Sequence, residues 1–494
     1  MKRTKGAVCA DFMSDAEARP IVCVVGAGPI GLEAATLCAA KGFSVELIER
    51  GDNVAASLLD WGHVRLFSSN DLNTSAWGTS ACAKAGASPL DPAARPTGKE
   101  FVQGYLDPMA EQLKRTPGCH VRTNTTVLSI SRGEVLKNEA VKAVGETDRD
   151  TAPFTVVCSD ERRHCEFSLS NIAAVIDCSG TYGNGNSLGI GGSLAVDERS
   201  LRKRPEVDDV QIAWFDTLPD VCGRDRQSFM PHSKQNARRV ALVGGGYSAA
   251  TTLLSLVAHA KSEADITLQV DWLLRRGAGR EPYARVDDDP LPDRAALVDA
   301  ANKFAEGQGD LPPNMTLKVH RGVVIEQCGK RYYEVGIAGR EQAPTASSAA
   351  SAVGSKRAID EIACREREGR VAFDLCVDVL VSHVGFRPDM AMTRELQVHH
   401  CYASEGPMKL AASLLSARVA ASKSGNGAAA GDCLNQAAPG PDLMRNPEPR
   451  FFICGAKSYG RNSAFLLSLG HAQVEAVVGI LADELCPPPC APCV

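Results

Sequence analysis

The first clear hydrophobic pattern in the chain begins at Ile21. Residues Ile21–Val25 form a short apolar run rich in β-branched side chains, which is typical of a central parallel strand buried on both faces. The glycine-rich stretch Gly26–Gly31 (GAGPIG) follows directly, and after it come the helical pattern Leu32–Ala40 and a second apolar run, Phe43–Ile48. The pattern predicts a strand, a tight turn, a helix and a second parallel strand that ends at Glu49.

The same order of elements recurs in the middle of the chain. Arg239–Val243 is an apolar strand pattern, Gly244–Ala249 (GGGYSA) is the turn, and Ala250–Ala260 has helical character. The next predicted strand, Ile266–Leu274, ends at two arginines. Two units of one kind in one chain predict two nucleotide-binding units.

The remaining sequence contains further strand patterns and two segments with little periodicity. The predicted strands are Val121–Ile130, Phe154–Ser159, Glu166–Leu169, Ala173–Ile176, Leu317–Ile325, Tyr332–Ile337 and Val371–Val381. Residues 338–356 and 416–449 are rich in Ala, Ser, Gly and Pro, so they are predicted to be mobile surface loops. A helix is predicted over Ser463–Glu484, ahead of a Pro- and Cys-rich tail, residues 486–494.

The glycines of the first turn have distinct predicted roles. Gly26 permits the tight turn, Gly28 lets the backbone approach a pyrophosphate, and Gly31 lets the helix pack closely on the strand. The helix start offers unpaired N–H groups and a positive dipole end to an anion. Glu49 stands at the tip of the next strand, where its carboxylate can accept hydrogen bonds from a ribose diol.

The second turn differs in the residues that follow it. Gly244, Gly246 and Ala249 occupy the fingerprint positions, and the next strand ends at Arg275 and Arg276 instead of an acid. A carboxylate there would favour NAD, whereas a guanidinium pair favours the 2′-phosphate of NADP. The alternative is that these arginines are a solvated strand end.

Composition and charge narrow the class of protein. Of the 494 residues, 44% are apolar and 23% are charged, as in a globular protein, and the net charge of −5 provides no positive field for nucleic acid or anionic lipid. No signal peptide is predicted, and glycines interrupt the apolar window of residues 21–40, which argues against a membrane span. The 18 cysteines are scattered singly, which indicates free thiols and a cytoplasmic location.

With these motifs the sequence resembles the two-dinucleotide flavoproteins, including N-hydroxylating and flavin-containing monooxygenases and pyridine nucleotide-disulfide oxidoreductase-like proteins. The first turn and Glu49 match the FAD fingerprint, and residues 176–180 (IDCSG) and 382–389 (SHVGFRPD) resemble the two crossover motifs of the group. The resemblance implies an α/β fold of two Rossmann-like domains with antiparallel insertions, in which the NADPH domain is inserted into the FAD domain. The implied boundaries are 1–200 and 382–485 for FAD, 201–381 for NADPH, and 486–494 for the tail.

The resemblance also implies further cofactor-binding positions. Residues 61–68 (WGHVRLFS) and 457–461 (KSYGR) are similar to segments of relatives of flavin-containing monooxygenases, which implies that Trp61, Arg65 and residues 457–464 lie near the isoalloxazine. Gly180, Gly385 and Gly455 are counted with the cofactor-binding residues. Core packing of Trp61 and a surface ion pair for Arg65 remain the alternative.

The distribution of cysteines bears on where the electrons go. A disulfide reductase needs two cysteines next to the flavin, but residues 51–72 contain none, and residues 239–381 contain only Cys328, Cys364 and Cys376, far apart. The reduced flavin is therefore expected to deliver electrons directly to O2 or to a diffusible acceptor. The resemblance favours an NADPH-dependent monooxygenase that uses a flavin C4a-(hydro)peroxide on a small nucleophilic substrate.

Other functions stay open at this point. Residues 205–238 lack the FxGxxxHxxx(W/Y) signature of flavin-containing and Baeyer–Villiger monooxygenases, and His232 there is predicted to be a loop residue. A reductase could pass electrons to a quinone, to a disulfide or to the tail thiols Cys490 and Cys493, and Cys486 with these two could instead bind a soft metal. A flavin-binding redox sensor is the third alternative. The sequence assigns no catalytic residue, and Cys178 is predicted to be a packing residue.

Overall fold

The computed structural model describes residues 19–139, 148–202, 212–231, 236–277, 281–335, 341–342, 356–366, 372–423 and 438–485. The strands are β1 Ile21–Val25, β2 Ser44–Ile48, β3 Cys119–Arg122, β4 Thr125–Ser131, β5 Phe154–Asp160, β6 Cys165–Asp177, β7 Ala213–Phe215, β8 Arg238–Val243, β9 Leu268–Leu274, β10 Met315–Arg321, β11 Val323–Val335, β12 Glu341–Gln342, β13 Lys356–Glu366, β14 Ala372–Cys376, β15 Val379–Ser382 and β16 Phe451–Ile453.

The helices are α1 Pro29–Ala40, α2 Ala56–Asp60, α3 Asn70–Asn73, α4 Ala76–Ala85, α5 Gly98–Phe101, α6 Asp107–Arg115, α7 Asp148–Thr151, α8 Glu198–Arg202, α9 Tyr247–Ser262, α10 Pro292–Ala305, α11 Met408–Lys423, α12 Pro441–Met444 and α13 Leu467–Leu485. A π-helical turn, Val102–Leu106, joins α5 to α6. None of the described helices is both long and apolar enough to cross a membrane.

The first unit is built on a sheet with the order β3-β2-β1-β6-β5-β4, and β16 also pairs with β6. Strands β1, β2, β3, β6 and β16 run parallel where they pair, while β4, β5 and the first part of β6 form an antiparallel meander. Asp177 at the end of β6 lies opposite Val25 of β1 and Ile453 of β16. The carboxyl ends of these three strands therefore form one edge.

The second unit is a parallel sheet with the order β10-β9-β8-β15-β7. Its core buries Trp272 and Leu253 between the sheet and α9. An antiparallel sheet with the order β12-β11-β13-β14 packs on it through Ile325, Ile362 and Leu380. Because the strands of this unit come between β6 and β16 in the sequence, the second unit is inserted into the first. The predicted α/β class with two parallel sheets and antiparallel insertions is confirmed.

A buried ion cluster ties the segment before β16 to the meander. Glu448, which is fully buried, accepts hydrogen bonds from Arg132 Nε at 3.0 Å and from an Arg149 guanidinium nitrogen at 2.7 Å, and also from the backbone N–H of Gln397 at 2.7 Å. The Arg132 guanidinium lies 3.6 Å from the centre of the Phe154 ring. One carboxylate thus joins three stretches of chain that are far apart in sequence.

Several predicted elements differ from the structure. The loop predicted over residues 416–449 is wrong in part, because α11 extends to Lys423, α12 lies within the segment, and Glu448 is buried. The two strands predicted at 166–169 and 173–176 are one strand, β6, in which Asn171 has a positive φ of 59°. Most of residues 338–356, the tail 486–494 and His232 lie outside the described residues.

Candidate functional site

In the first glycine turn, the fold requires glycine at two positions but not at a third. Gly26 has a φ of +93°, and a Cβ on it would lie 2.7 Å from the carbonyl oxygen of Cys178. A Cβ on Gly31 would lie 1.8 Å from the carbonyl oxygen of Gly26. Gly28 has a φ of −74°, and no described atom lies within 4 Å of a Cβ placed on it. The space next to Gly28 is therefore open to a ligand.

Glu49 holds this turn in place from the end of β2. Its carboxylate accepts hydrogen bonds from the backbone N–H of Ala27 at 2.8 Å and of Gly51 at 2.7 Å. Helix α1 starts at Pro29 without a side-chain cap from the described residues. The positive end of the helix and the Glu49 carboxylate thus both lie next to the turn, and such groups can interact with a diphosphate and with a ribose.

Two connections join the first unit to the second. After β6 the chain turns at Gly180, with a φ of +69°, and after β15 it turns at Gly385, with a φ of +86°. The two connections pair as an antiparallel bridge between Gly185 and Phe386, and the N–H of Asn186 donates to the Gly385 carbonyl at 2.9 Å. The two crossover motifs therefore lie side by side between the sheets.

Three aromatic side chains meet at these connections. The ring of Tyr182 lies 6.3 Å from that of Trp61 and 4.8 Å from that of Phe386. Tyr182 is 44% exposed, so one face of its ring is open to a ligand. The indole Nε1 of Trp61 is buried and has no hydrogen-bond partner among the described residues. Trp61, Tyr182 and Phe386 together form an aromatic wall. A planar ring with polar edges fits such a wall.

Two other predicted positions occupy different surroundings. Arg65 is exposed, donates to the carbonyl oxygen of Arg95 and lies 3.9 Å from the carboxylate of Glu100. This placement favours the surface ion pair that was the alternative for Arg65. Gly455 follows β16 with a φ of +73°, and its N–H donates to the side-chain oxygen of the buried Gln473 at 2.8 Å. Gly455 thus lies at the carboxyl edge of the first sheet.

The second glycine turn repeats the geometry of the first. Gly244 has a φ of +130°, and a Cβ on it would lie 2.2 Å from the carbonyl oxygen of His383. No described atom lies within 4 Å of a Cβ on Gly246, whereas Ala249 is fully buried. The Trp272 indole N–H donates to the Gly244 carbonyl at 2.9 Å, and the Tyr283 hydroxyl donates to the Gly246 carbonyl at 3.1 Å. Aromatic side chains therefore fix the carbonyls of this turn.

The end of β9 carries the exposed pair Arg275 and Arg276, and the latter donates to the Pro282 carbonyl at 3.4 Å. Beneath the turn, the ring nitrogen Nε2 of His383 lies 2.8 Å from the Thr252 hydroxyl. Burial lowers the pKa of His383 to about 4, so this side chain is neutral at pH 7. Arg275 and Arg276 thus place two exposed cations at this strand end.

The two units touch next to the second turn. Phe67, in the segment that follows Trp61, packs edge-on against Tyr247, the first residue of α9, with 5.8 Å between ring centres. Arg95 of the first unit also forms an ion pair with Asp293 of the second at 3.2 Å. The segment after α2 therefore reaches from the aromatic wall to the second glycine turn.

The structure also brings together residues that lie far apart in the sequence and share no motif. The thiols of Cys178 and Cys454 are in hydrogen-bonding contact, and Lys457 forms a buried ion pair with Asp177. The sequence gives one indication of both pairs, which is that their members lie at the ends of apolar runs. Asp177 and Cys178 end one run, and Cys454 and Lys457 follow another. Only the pairing of β6 with β16 makes these ends neighbours.

Comparisons with known proteins agree with this architecture. The family model described as pyridine nucleotide-disulphide oxidoreductase matches residues 23–161. The bacillithiol disulfide reductase Bdr from Bacillus cereus is 15% identical, with 94% of this chain and 99% of that chain covered and a TM-score of 0.56. The ornithine N-hydroxylase from Kutzneria sp. 744, solved with reduced FAD, NADP+ and L-ornithine, is 14% identical, with coverage of 94% and 100% and a TM-score of 0.52. No curated protein matches the sequence.

These likenesses concern the fold. Identities of 14–15% over almost the whole of both chains show that this chain has the fold of two-domain flavoproteins. The resemblance predicted from the motifs is confirmed at that level. Because one of these two structures is a reductase and the other a hydroxylase, the fold leaves the electron acceptor open.

Proposed function

We propose that this chain is an NADPH-dependent FAD oxidoreductase, and more specifically a monooxygenase that acts on a small nucleophilic substrate. The observation that carries the proposal is the pair of open glycine turns, at Gly28 and Gly246, on two sheets whose connections pair beneath an aromatic wall. When bound, the two cofactors would supply hydride transfer and O2 chemistry.

The residues of the first unit suit FAD. The N–H groups at the start of α1 and the open space at Gly28 would receive the diphosphate, and Glu49 would orient a ribose. Trp61 and Tyr182 would cover a flavin ring and keep water from it, and the unpaired indole N–H of Trp61 would be a donor for that ring or for a substrate.

The cysteines near the first turn support direct delivery of electrons to O2. Cys178 and Cys454 lie together under α1, but the hydrogen bond between them, and then burial, raise the pKa of Cys178 well above its usual value. Since the thiolate is the nucleophile, this pair is poorly suited to attack a disulfide substrate. Their contact is nevertheless the observation that favours a reductase as the second candidate.

A test of the cofactor assignment uses the arginines that end β9. Changing Arg275 and Arg276 to alanine should raise the KM for NADPH about tenfold or more, because charge-assisted hydrogen bonds to a 2′-phosphate contribute about 1.5–3 kcal/mol. The KM for NADH should change little. Arg285→Ala is the matched control, since Arg285 pairs with Glu281 and Asp299 in the same unit. Equal effects on both nucleotides would contradict the NADPH assignment.

The monooxygenase proposal is tested by mixing the NADPH-reduced protein rapidly with O2. We expect the absorbance of oxidised flavin to return only after a separate spectral phase, because the aromatic wall excludes water from the reacting centre. Hydrogen peroxide should be released more slowly than the flavin is reduced. Immediate reoxidation with stoichiometric peroxide would contradict oxygenation.

An anaerobic dithionite titration separates the reductase from the monooxygenase. FAD alone takes up two electrons, whereas FAD with a redox-active disulfide takes up four. Four electrons in the wild type, falling to two in Cys178→Ser, would favour a reductase that uses Cys178 and Cys454. Loss of the extra electrons in Cys490→Ser with Cys493→Ser would assign them to the tail.

A further inference from the structure

A second polar feature of the first unit lies at the carboxyl edge of its three central strands. Asp177 is the last residue of β6 and is flanked by Val25 of β1 and Ile453 of β16. Lys457 follows β16 in a short helical turn, Gly455–Tyr459. In open α/β sheets this edge is where the nucleotide lies, so both charges stand on the ligand side of the sheet.

The two charges form a closed network with one hydroxyl. Lys457 Nζ lies 2.6 Å from Asp177 Oδ2 and donates to Ser179 Oγ at 3.0 Å. Ser179 in turn donates to Asp177 Oδ1, from its hydroxyl at 2.6 Å and from its N–H at 3.0 Å. The side chains of Lys457 and Asp177 are 1% and 0% exposed. The ion pair is therefore removed from water, and its field is weakly screened.

The network touches the first glycine turn. The Cα of Ser179 lies 2.8 Å from the position that a Cβ on Gly26 would take. Ser179, which is hydrogen-bonded to both charges, is therefore also next to the turn that would hold the FAD diphosphate. The neighbouring His400 adds no positive charge at neutral pH, because burial, and then the charge of Lys457, lower its pKa.

Stability alone gives a weak reason for such a pair. Taking two charges out of water costs several kcal/mol each, and apolar side chains of similar volume often stabilise a protein as well or better. An ion pair kept at the ligand edge of a sheet instead places two opposite, fixed charges near whatever binds there.

We propose that the charges of Lys457 and Asp177 act on the reduction potential of the bound flavin in opposite directions and offset one another. The proposal rests on FAD binding in the first unit. On reduction at pH 8 the flavin takes up two electrons and one proton and so gains one negative charge. The ammonium group of Lys457 therefore stabilises the reduced state, and the carboxylate of Asp177 opposes it. Ser179 keeps the two charges at fixed positions.

The test is the midpoint potential of the FAD-loaded protein at pH 8 in three variants. Lys457→Met should lower the potential, Asp177→Asn should raise it, and the double variant should return close to the wild type. Each single shift should correspond to a change of about tenfold or more in the equilibrium between oxidised and reduced flavin, about 30 mV for a two-electron couple. In a medium with an effective dielectric constant near 20, a unit charge has an effect of that size out to about 10 Å.

A merely structural pair would behave differently. It would lower FAD affinity in both single variants without moving the potential in opposite directions, and that result would overturn the proposal. Lys137→Met removes an exposed lysine and should leave the potential unchanged. If Lys457→Met does not fold, Asp177→Asn decides, since an unchanged or lowered potential in that variant would also overturn the proposal. A wild-type protein that binds no FAD would refute the proposed function itself, and this outcome is distinct from the others.

Discussion

Gly28→Ala should give a folded protein that loses FAD on gel filtration. The backbone of Gly28 is in a conformation that alanine adopts freely, and its Cβ would meet no described atom, so the fold should tolerate the change. The added methyl group would instead occupy the space that a diphosphate needs. Overpacking of this kind costs about 1–3 kcal/mol, which corresponds to roughly a 5- to 150-fold weaker affinity. Fluorescence titration of the apoprotein with FAD measures the loss.

The second glycine turn provides the matched control. Gly246→Ala should weaken NADPH binding and leave FAD binding as it is, because Gly246 is equally open but belongs to the other unit. Gly31→Ala should destabilise the fold itself, since its Cβ would collide with the Gly26 carbonyl. If Gly28→Ala bound FAD as tightly as the wild type, the diphosphate would not lie on this turn.

Glu448→Ala should destabilise the first unit by about 3–5 kcal/mol, because it leaves the fully buried Arg132 and the buried Arg149 without their carboxylate. The N–H of Gln397 would lose its acceptor as well. Denaturant unfolding followed by circular dichroism measures the change in the free energy of unfolding.

An exposed ion pair serves as the comparison for Glu448. Glu484→Ala removes the partner of Arg445 on the surface and should cost no more than about 1 kcal/mol. Glu448→Gln keeps the size of the side chain and should fall between the two. A loss near 1 kcal/mol in Glu448→Ala would mean that the two arginines find other partners or reach water.

The glycine-turn units were predictable from the sequence almost residue by residue. The run Ile21–Val25 is β1 itself, and the predicted strand Arg239–Val243 lies within β8. Buried parallel strands are short, apolar on both faces and followed directly by a glycine turn, so local sequence defines both of their ends. The open positions Gly28 and Gly246 follow from the same fingerprint.

Other elements depend on contacts that local sequence does not reveal. The sequence predicts β6 as two strands because residues 165–169 alternate exposed positions with the half-buried Phe167 and Leu169, whereas the second half is continuously apolar. Asn171, with a positive φ, lies between the two patterns. α11 lies in an alanine-rich stretch with little periodicity. Alanine, leucine and lysine favour a helix without regular spacing of apolar residues, so composition alone resembled a loop.

The remaining part of the candidate site can be predicted only when the order of the strands in the sheet is known. Asp177 and Lys457 are neighbours only because β16 returns to pair with β6 after the whole second unit. The aromatic wall likewise combines Trp61 with one residue from each of the two connections. Neither combination has a signal in the spacing of residues along the chain.

The late position of β16 and α13 has a consequence for biosynthesis. The first sheet receives β16, and α13 covers α1, only after residue 450 has left the ribosome, whereas every strand of the second parallel sheet has emerged by Ser382. The internal unit can therefore complete its core before β16 and α13 are available to pack against the N-terminal segment. Folding during translation would thus proceed from the middle of the chain outwards, and the N-terminal half would need protection from aggregation in the interval.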